Sequence, residues 1–383
     1  MRAILKKRVP EHSIFQAPLM HIMRILALFD SRCRVAACIL LLAFFARAPS
    51  AAAQTLPAPQ FMPVVGGQQA ASAPGQCGPT ACRCCPAETY WIVSLRCCPQ
   101  KTPCPICPNC VDFLCRTPDG CLTRSSHAAF LASLLPRVPV CFMIHGSYVT
   151  WQDVPHDAQR TFCWLRGAAP QLPLNYVYVT WPSDPTLPPF DIQGLGRKSA
   201  RNGFQLATLT QSIPCDHPVS FIGHSHGARM TLSTLHLLGG GVVQGCCLSH
   251  PPGASHRFRA VLGAAAVDHH WMNPGERYGC SMRVTECLLN FRSRHDGALS
   301  LYPFRRPFSK AALGKKGLTK RDIRKLGPFA CRIAECDVTP YVKNHHFWQY
   351  YNGHPALALS AVPYVYFPDV QASNVVIPPA PAE

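Results

Sequence analysis

The feature that constrains the fold most is a regular alternation of short apolar runs and longer helical runs from residue 138 onward. Residues 138–144 and 219–222 are apolar at nearly every position, which is typical of strands buried on both faces. Helical patterns follow at 199–213 and 228–238, and three glycines end the second. The alternation predicts an α/β fold in which a mostly parallel sheet is flanked by helices.

Other runs extend this rhythm on both sides. Strand patterns occur at 89–95, 174–181, 260–267 and 286–291, and a helical pattern at 153–165. The spacing favours one large domain, predicted to span 89–362.

A pentapeptide of the form Gly-x-Ser-x-Gly occupies residues 223–227, directly between a predicted strand and a predicted helix. Alone the pattern is weak, but strand-turn-helix is the setting that a nucleophilic serine on a strained turn requires. The glycines leave room where strand and helix nearly touch. The setting indicates Ser225 as a nucleophile, and an ordinary Gly- and Ser-rich turn is the less favoured interpretation.

A serine hydroxyl needs a base near neutral pH, usually a histidine that a carboxylate orients. Asp268 and Asp296 each follow a predicted strand downstream of Ser225, and we favour Asp296 because it follows the later strand. The candidate bases lie after both acids: His345 first, then His346 and His354.

Acyl transfer also needs two backbone N–H donors for the developing oxyanion. We expect one from His226, immediately after the nucleophile. The other is expected from the loop after the strand at 138–144, where a His-Gly step precedes Ser147. We assign Ser147 and keep Tyr148 in reserve; a simple strand-ending turn is the alternative interpretation of this loop.

Four motifs, at 142–146, 223–227, 290–296 and 344–345, together resemble a bacterial α/β-hydrolase family of unknown function. The resemblance places the chain near the lipase- and esterase-like branch of the α/β-hydrolase superfamily and covers roughly 91–360. It implies a Ser-His-Asp triad that cleaves an ester, with no cofactor and no metal. The chain departs from the family in its cysteine content and in a basic insertion before His345.

A different class of function is compatible with the same residues. A disulfide-rich cell-envelope or adhesion protein can keep a hydrolase scaffold without turnover, because fold alone does not establish activity. Covalent labelling of Ser225 by a fluorophosphonate separates the two hypotheses.

The N-terminus has the order of a secretory signal: basic residues, an apolar run at 35–45 and small residues at 51–53. The apolar run is shorter than the roughly 20 residues that a membrane-crossing helix needs. We therefore expect a signal peptide at 1–53, a start codon further downstream at Met20 or Met23, and export to the cell envelope or the medium. Residues 54–76, rich in Ala, Pro, Gly and Gln, are expected to form a flexible linker.

The chain has 22 cysteines, of which eleven lie in a Cys-rich segment at 77–122 that merges into the first strand. In an exported protein disulfides are the default state of such cysteines. Cys104, Cys107 and Cys110 have the C-x-x-C spacing of zinc ligands, but the remaining cysteines are too dispersed to complete a site. Structural disulfides are therefore favoured, with a connectivity that the sequence leaves open.

The formal net charge is +18, or about +12 without the leader, which favours contact with anionic surfaces. Ten basic residues and the single acid Asp322 lie in 305–332, which we predict to be a surface insertion with a helix at 319–326. A solvated loop is the simpler interpretation, and contact with an anionic surface is the alternative. No nucleic-acid-binding module accompanies the charge, so specific nucleic-acid binding is not expected. The Pro-rich residues 363–383 are expected to form an extended tail.

Overall fold

The computed structural model describes residues 89–100, 110–186, 191–249, 256–305 and 309–369, all within one unit that spans 75–383. The predicted signal peptide, the linker and residues 77–88 and 101–109 of the Cys-rich segment lie outside the described residues. The end of the predicted tail, from residue 370, lies outside them as well.

Within the described residues, nine strands form one sheet. They are β1 (Tyr90–Ser94), β2 (Asp112–Arg116), β3 (Leu122–Ser125), β4 (Val140–Ile144), β5 (Asn175–Thr180), β6 (Val219–His224), β7 (Phe258–Gly263), β8 (Thr285–Arg292) and β9 (Ile333–Asp337). Their order across the sheet is β3-β2-β1-β5-β4-β6-β7-β8-β9. Seven neighbouring strands run parallel: β1, β5, β4, β6, β7, β8 and β9. Strands β2 and β3 add an antiparallel edge beside β1.

Helices cover both faces of the sheet. In chain order they are α1 (His127–Ala132), α2 (Val154–Ala168), α3 (Ile192–Gln211), α4 (His226–Leu238), α5 (Ser281–Val284), α6 (Gly297–Ser300), α7 (Leu313–Lys316), α8 (Lys320–Leu326), α9 (Phe347–Tyr351) and α10 (Pro355–Val365). One apolar cluster joins the sheet to α1, α3 and α4, and a second joins the opposite face to α2 and α10. Two 3-10 helices, Tyr302–Arg305 and Gly327–Arg332, lie in the crossover between β8 and β9.

Strand β4 shows why the central strands are apolar at every position. Val140, Phe142 and Ile144 belong to the first cluster, and Cys141 and Met143 belong to the second. Because successive side chains of a strand point to opposite faces, a strand covered on both faces has no position left for a polar residue. Burial of each large apolar side chain contributes about 1.5–3 kcal/mol.

The predicted α/β architecture, a mostly parallel sheet flanked by helices, is confirmed. Three strands were not predicted: β2, β3 and β9, which lie at or near the edges of the sheet and are only partly buried. Their mixed polar sequences lack the apolar run that marks a central strand. Helix α3 begins seven residues before the predicted start, where two glycines weaken the helical pattern.

The basic segment 305–332 is only partly the surface insertion that the sequence predicts. Helix α8 matches the predicted helix and begins with a capping box between Thr319 and Asp322. However, Ala312 and Leu313 are fully buried, and the N–H of Leu313 donates to the carbonyl of Val267 at 2.8 Å. The surface prediction is therefore corrected for the residues around α7, which are part of the core.

The start of the predicted tail also requires correction. Helix α10 continues through Pro363 to Val365, and Tyr366 and Phe367 are fully buried. The packed part of the chain therefore extends beyond residue 363.

Fourteen cysteines lie in the described ranges, and no disulfide joins two of them there. The densest part of the predicted disulfide framework, at 77–88 and 101–109, lies outside the described residues. Burial raises the pKa of the Cys141 thiol to about 12, so this side chain behaves as an apolar residue of the core. No helix in the described part of the chain is long and apolar enough to cross a membrane.

Candidate active site

Ser225 lies on a sharp turn between β6 and α4. Its backbone has φ 53° and ψ −117°, a strained conformation for a residue with a side chain. A methyl group at Gly223 would overlap Ala228, and one at Gly227 would overlap the carbonyls of the β4 end. Glycines two residues before and two after Ser225 are therefore required for strand and helix to approach this closely.

Ser225 and two residues from the later part of the chain form a continuous hydrogen-bonded chain. The Ser225 Oγ lies 2.8 Å from His345 Nε2, and His345 Nδ1 lies 2.7 Å from Asp296 Oδ2. With Nδ1 as the donor to the carboxylate, Nε2 is left as the acceptor for the serine proton. This is the geometry of a nucleophile, a base and an orienting acid.

The carboxylate of Asp296 is fully buried and has separate partners for its two oxygens. Oδ1 accepts a hydrogen bond from the N–H of Leu299 at 3.0 Å and so caps α6. Oδ2 faces His345 and also accepts from the hydroxyl of Tyr350 at 3.3 Å. These contacts fix the direction in which the carboxylate points.

The other candidates have different surroundings. Asp268 accepts hydrogen bonds from the hydroxyl of Tyr302 at 2.9 Å and from the N–H of Lys310 at 3.4 Å. The ring of His346 stacks on Trp348, and the ring of His354 packs against Tyr341. The structure thus brings Asp296 and His345, rather than these alternatives, into the chain with Ser225.

The two predicted oxyanion donors lie beside each other. His226 is the first residue of α4, and its Nδ1 lies 2.6 Å from the hydroxyl of Ser147, in the loop between β4 and α2. Within the described ranges, the backbone N–H of Ser147 donates no hydrogen bond. The reserve assignment is corrected, because the N–H of Tyr148 already donates to the carbonyl of Ser183 at 2.8 Å.

His145 holds the start of the loop between β4 and α2 in place. Its ring is fully buried, contacts the Thr180 hydroxyl at 2.9 Å through Nε2, and stacks on Trp181 with ring centroids 5.9 Å apart. Burial lowers the pKa of His145 to about 3, so the ring is neutral at any physiological pH. The His-Gly step is therefore the base of a fixed loop.

His224 is another buried histidine, and it lies next to His345. Its ring centroid lies 5.2 Å from that of His345 and is enclosed by Phe347, Tyr350 and Tyr351. Burial, and next the nearby charge of His345, lower the pKa of His224 well below its ordinary value. The His224 ring is therefore neutral at physiological pH.

Sequence reasoning missed Tyr350 and Lys315, which both hold the segment around Asp296. Tyr350 lies in the aromatic run after His345, but nothing in that run indicates which ring reaches the acid. Across the described residues, no group of three or more His, Cys, Asp or Glu side chains is arranged to hold a metal ion.

No protein-family model matches the sequence, and no curated protein matches it. The solved structures that are similar to the chain include three with low identity and low TM-scores. The first is the catalytic core domain of an acetyl xylan esterase from Trichoderma reesei, with 11% identity over 62% of this chain and 98% of that chain and a TM-score of 0.31. The second is an acetylxylan esterase, with 14% identity over 61% of this chain and 99% of that chain and a TM-score of 0.31. The third is a Trichoderma reesei cutinase in complex with a phosphonate inhibitor, with 14% identity over 63% of this chain and 84% of that chain and a TM-score of 0.27.

The sheet and the turn at Ser225 define the fold class. A mostly parallel sheet carries a Gly-x-Ser-x-Gly turn at the end of a central strand, between that strand and a helix. An acid follows a later strand, and a histidine follows the last one. This is the architecture of the α/β-hydrolase fold.

Proposed function

We propose that this chain is an exported serine hydrolase that cleaves carboxylic esters, lipid esters included, through Ser225, His345 and Asp296. The observation that carries the proposal is the hydrogen-bonded chain from Ser225 Oγ through the imidazole to Asp296, with steps of 2.8 Å and 2.7 Å. A strained serine backbone at the start of α4 supports the same assignment, because strain persists where the surroundings enforce it.

The first half of the proposed reaction forms an acyl-enzyme. Ser225 Oγ attacks the ester carbonyl carbon while His345 Nε2 takes the hydroxyl proton, and Asp296 stays ionised and stabilises the imidazolium. The carbonyl oxygen becomes an oxyanion that accepts from the backbone N–H groups of Ser147 and His226. Each such donor contributes about 2.7–4 kcal/mol to transition-state stabilisation. Collapse of the tetrahedral intermediate breaks the bond to the leaving alcohol, which receives the proton from His345.

The second half uses water in place of the serine hydroxyl. His345 takes a proton from a water molecule whose oxygen attacks the acyl carbon. The bond to Ser225 Oγ then breaks, the serine regains its proton from His345, and the carboxylic acid leaves. The proposed reaction needs no cofactor.

Two further parts of the proposal concern the surroundings of the enzyme. The leader-like N-terminus and the cysteine content support export and disulfide formation in the mature protein. Exposed Lys320, Arg321 and Arg324 support contact between the basic segment and an anionic surface.

Fluorophosphonate labelling of purified protein tests the catalytic proposal. We expect one covalent adduct on Ser225 and hydrolysis of chromogenic esters, both lost in Ser225→Ala. Ser360→Ala, at an exposed serine of α10, is the matched control and should label like the wild type. A folded wild-type protein that neither labels nor hydrolyses any ester of the panel would contradict the proposal.

A further inference from the structure

Lys315, in α7 of the basic segment, has an unusual set of contacts for a lysine. Its Nζ donates to the carbonyl of Arg294 at 2.7 Å, to the carbonyl of Asp296 at 3.2 Å and to the hydroxyl of Ser300 at 2.7 Å. An ammonium group has three donors, and all three have an acceptor here. Ordinary surface lysines keep this group hydrated.

The three acceptors span the loop that carries Asp296. Arg294 lies before the acid, and Ser300 lies at the end of α6, the helix that the Asp296 carboxylate caps. Lys315 therefore contacts residues before and after Asp296 in the loop, and also the backbone carbonyl of Asp296. The carboxylate projects from backbone that the ammonium group holds.

The position of Lys315 is fixed by the backbone immediately before it. The N–H of Leu313 donates to Val267 at 2.8 Å, and the N–H of Gly314 donates to Ala265 at 3.1 Å. The carbonyl of Gly314 accepts from the N–H of Ser293 at 3.0 Å. The start of α7 is thus hydrogen-bonded both to the segment after β7 and to the loop after β8.

We propose that Lys315 is a positioning residue for the acid of the triad, holding the loop 294–300 so that Asp296 Oδ2 points at His345 Nδ1. This inference rests on the proposed function and gives the basic segment a role in that same site. A displacement of about 1 Å in such a site lowers the rate about a hundredfold. The contact is also charge-assisted, since hydrogen bonds from a charged donor are about twice as strong as neutral ones.

Lys315→Met removes the ammonium group and keeps the apolar stem. We expect kcat to fall about tenfold to a hundredfold with KM unchanged, because the acid acts on the chemical step. Lys316→Met, at the exposed neighbouring lysine, is the matched control and should retain wild-type kcat. In an Asp296→Asn background, Lys315→Met should cause no further loss, because Lys315 acts through that carboxylate. An equal fractional loss in both backgrounds would overturn the inference.

A spectroscopic measurement gives a readout that does not depend on turnover. The Nδ1 proton shared by His345 and Asp296 should give a low-field proton NMR signal that shifts or broadens in Lys315→Met and not in Lys316→Met. Ser300→Ala keeps the lysine and removes a hydroxyl that accepts from Lys315 and donates to the carbonyl of Asp296 at 3.1 Å. This variant should shift the same signal by less, and it keeps the test available if Lys315→Met does not fold. An unchanged signal in both variants sinks the inference.

The two proposals fail in different ways. A wild-type protein without labelling or hydrolysis contradicts the serine hydrolase itself. An active wild type with Lys315→Met equal to Lys316→Met contradicts only the positioning role.

Discussion

Asp268 and Asp296 make an instructive pair, because they occupy equivalent places and have different partners. Each follows a buried parallel strand, β7 or β8, and each is almost fully buried. Each accepts from a tyrosine hydroxyl, Tyr302 at 2.9 Å for Asp268 and Tyr350 at 3.3 Å for Asp296. Only Asp296 lies against the imidazole of His345.

The difference teaches that strand position and burial do not select the acid of such a site. The selection comes from the segment after β9, which places His345 beside one carboxylate and not the other. Both aspartates also contact the basic segment 305–332. The carboxylate of Asp268 accepts from the N–H of Lys310, and the backbone carbonyl of Asp296 accepts from Lys315 Nζ. That segment therefore supports both loops, and the histidine distinguishes them.

The largest expected effect is a difference in kcat between substitutions of the two aspartates. Asp296→Asn should lower kcat about 10⁴-fold, because the neutral amide no longer stabilises the imidazolium or its tautomer. Asp268→Asn should keep kcat within about threefold of wild type. Steady-state kinetics on a chromogenic ester checks both, and a large kcat loss in Asp268→Asn with normal activity in Asp296→Asn would reverse the assignment.

The two tyrosines sharpen the comparison at a smaller scale. Tyr350→Phe removes one hydrogen bond to the carboxylate of Asp296, and we expect a threefold to tenfold loss of kcat, of the order of one hydrogen bond at about 1 kcal/mol. Tyr302→Phe should leave kcat unchanged and lower the free energy of unfolding by about 1 kcal/mol, the contribution of one buried hydrogen bond. Kinetics and urea unfolding measure the two effects separately. Equal effects of the two variants on kcat would argue against a special role for Asp296.

A third buried carboxylate, Asp322, tests whether any buried His-Asp pair affects kcat. Asp322 Oδ2 lies 2.7 Å from His269 Nδ1, and Asp322 also accepts from Asn273 and from Thr319 at the start of α8. Burial raises the pKa of Asp322, but these hydrogen bonds outweigh it and lower the pKa from 3.8 to about 2. This pair holds α8 against the segment after β7.

Asp322→Asn should therefore affect stability and leave kcat unchanged. Because the folded pKa is depressed, the contribution of Asp322 is fully present above about pH 4 and is lost as the pH falls toward 2. We expect the variant to lose about 1–3 kcal/mol at neutral pH, with the difference from wild type shrinking between pH 4 and 2. Thermal unfolding across this pH range is the measurement, and a difference that grows on acidification would contradict the assigned role.

The sequence by itself determined the elements that local patterns encode. Central strands such as β4 and β6 are visible because burial on both faces demands apolar residues at every position. The turn at Ser225 is visible because its glycines are steric requirements of a close strand-helix approach. Edge strands such as β9 carry no such requirement, and their mixed sequences concealed them.

Only the tertiary structure decided which distant groups meet. His345 is 120 residues from Ser225 and 49 from Asp296, and the hydrogen bonds between them depend on the crossovers that return the chain to the same edge of the sheet. Lys315 looked like one more charge in a basic run, since composition does not reveal which ammonium group turns inward. Side-chain direction at long sequence separation is set by packing, whereas strands and turns are set by neighbours along the chain.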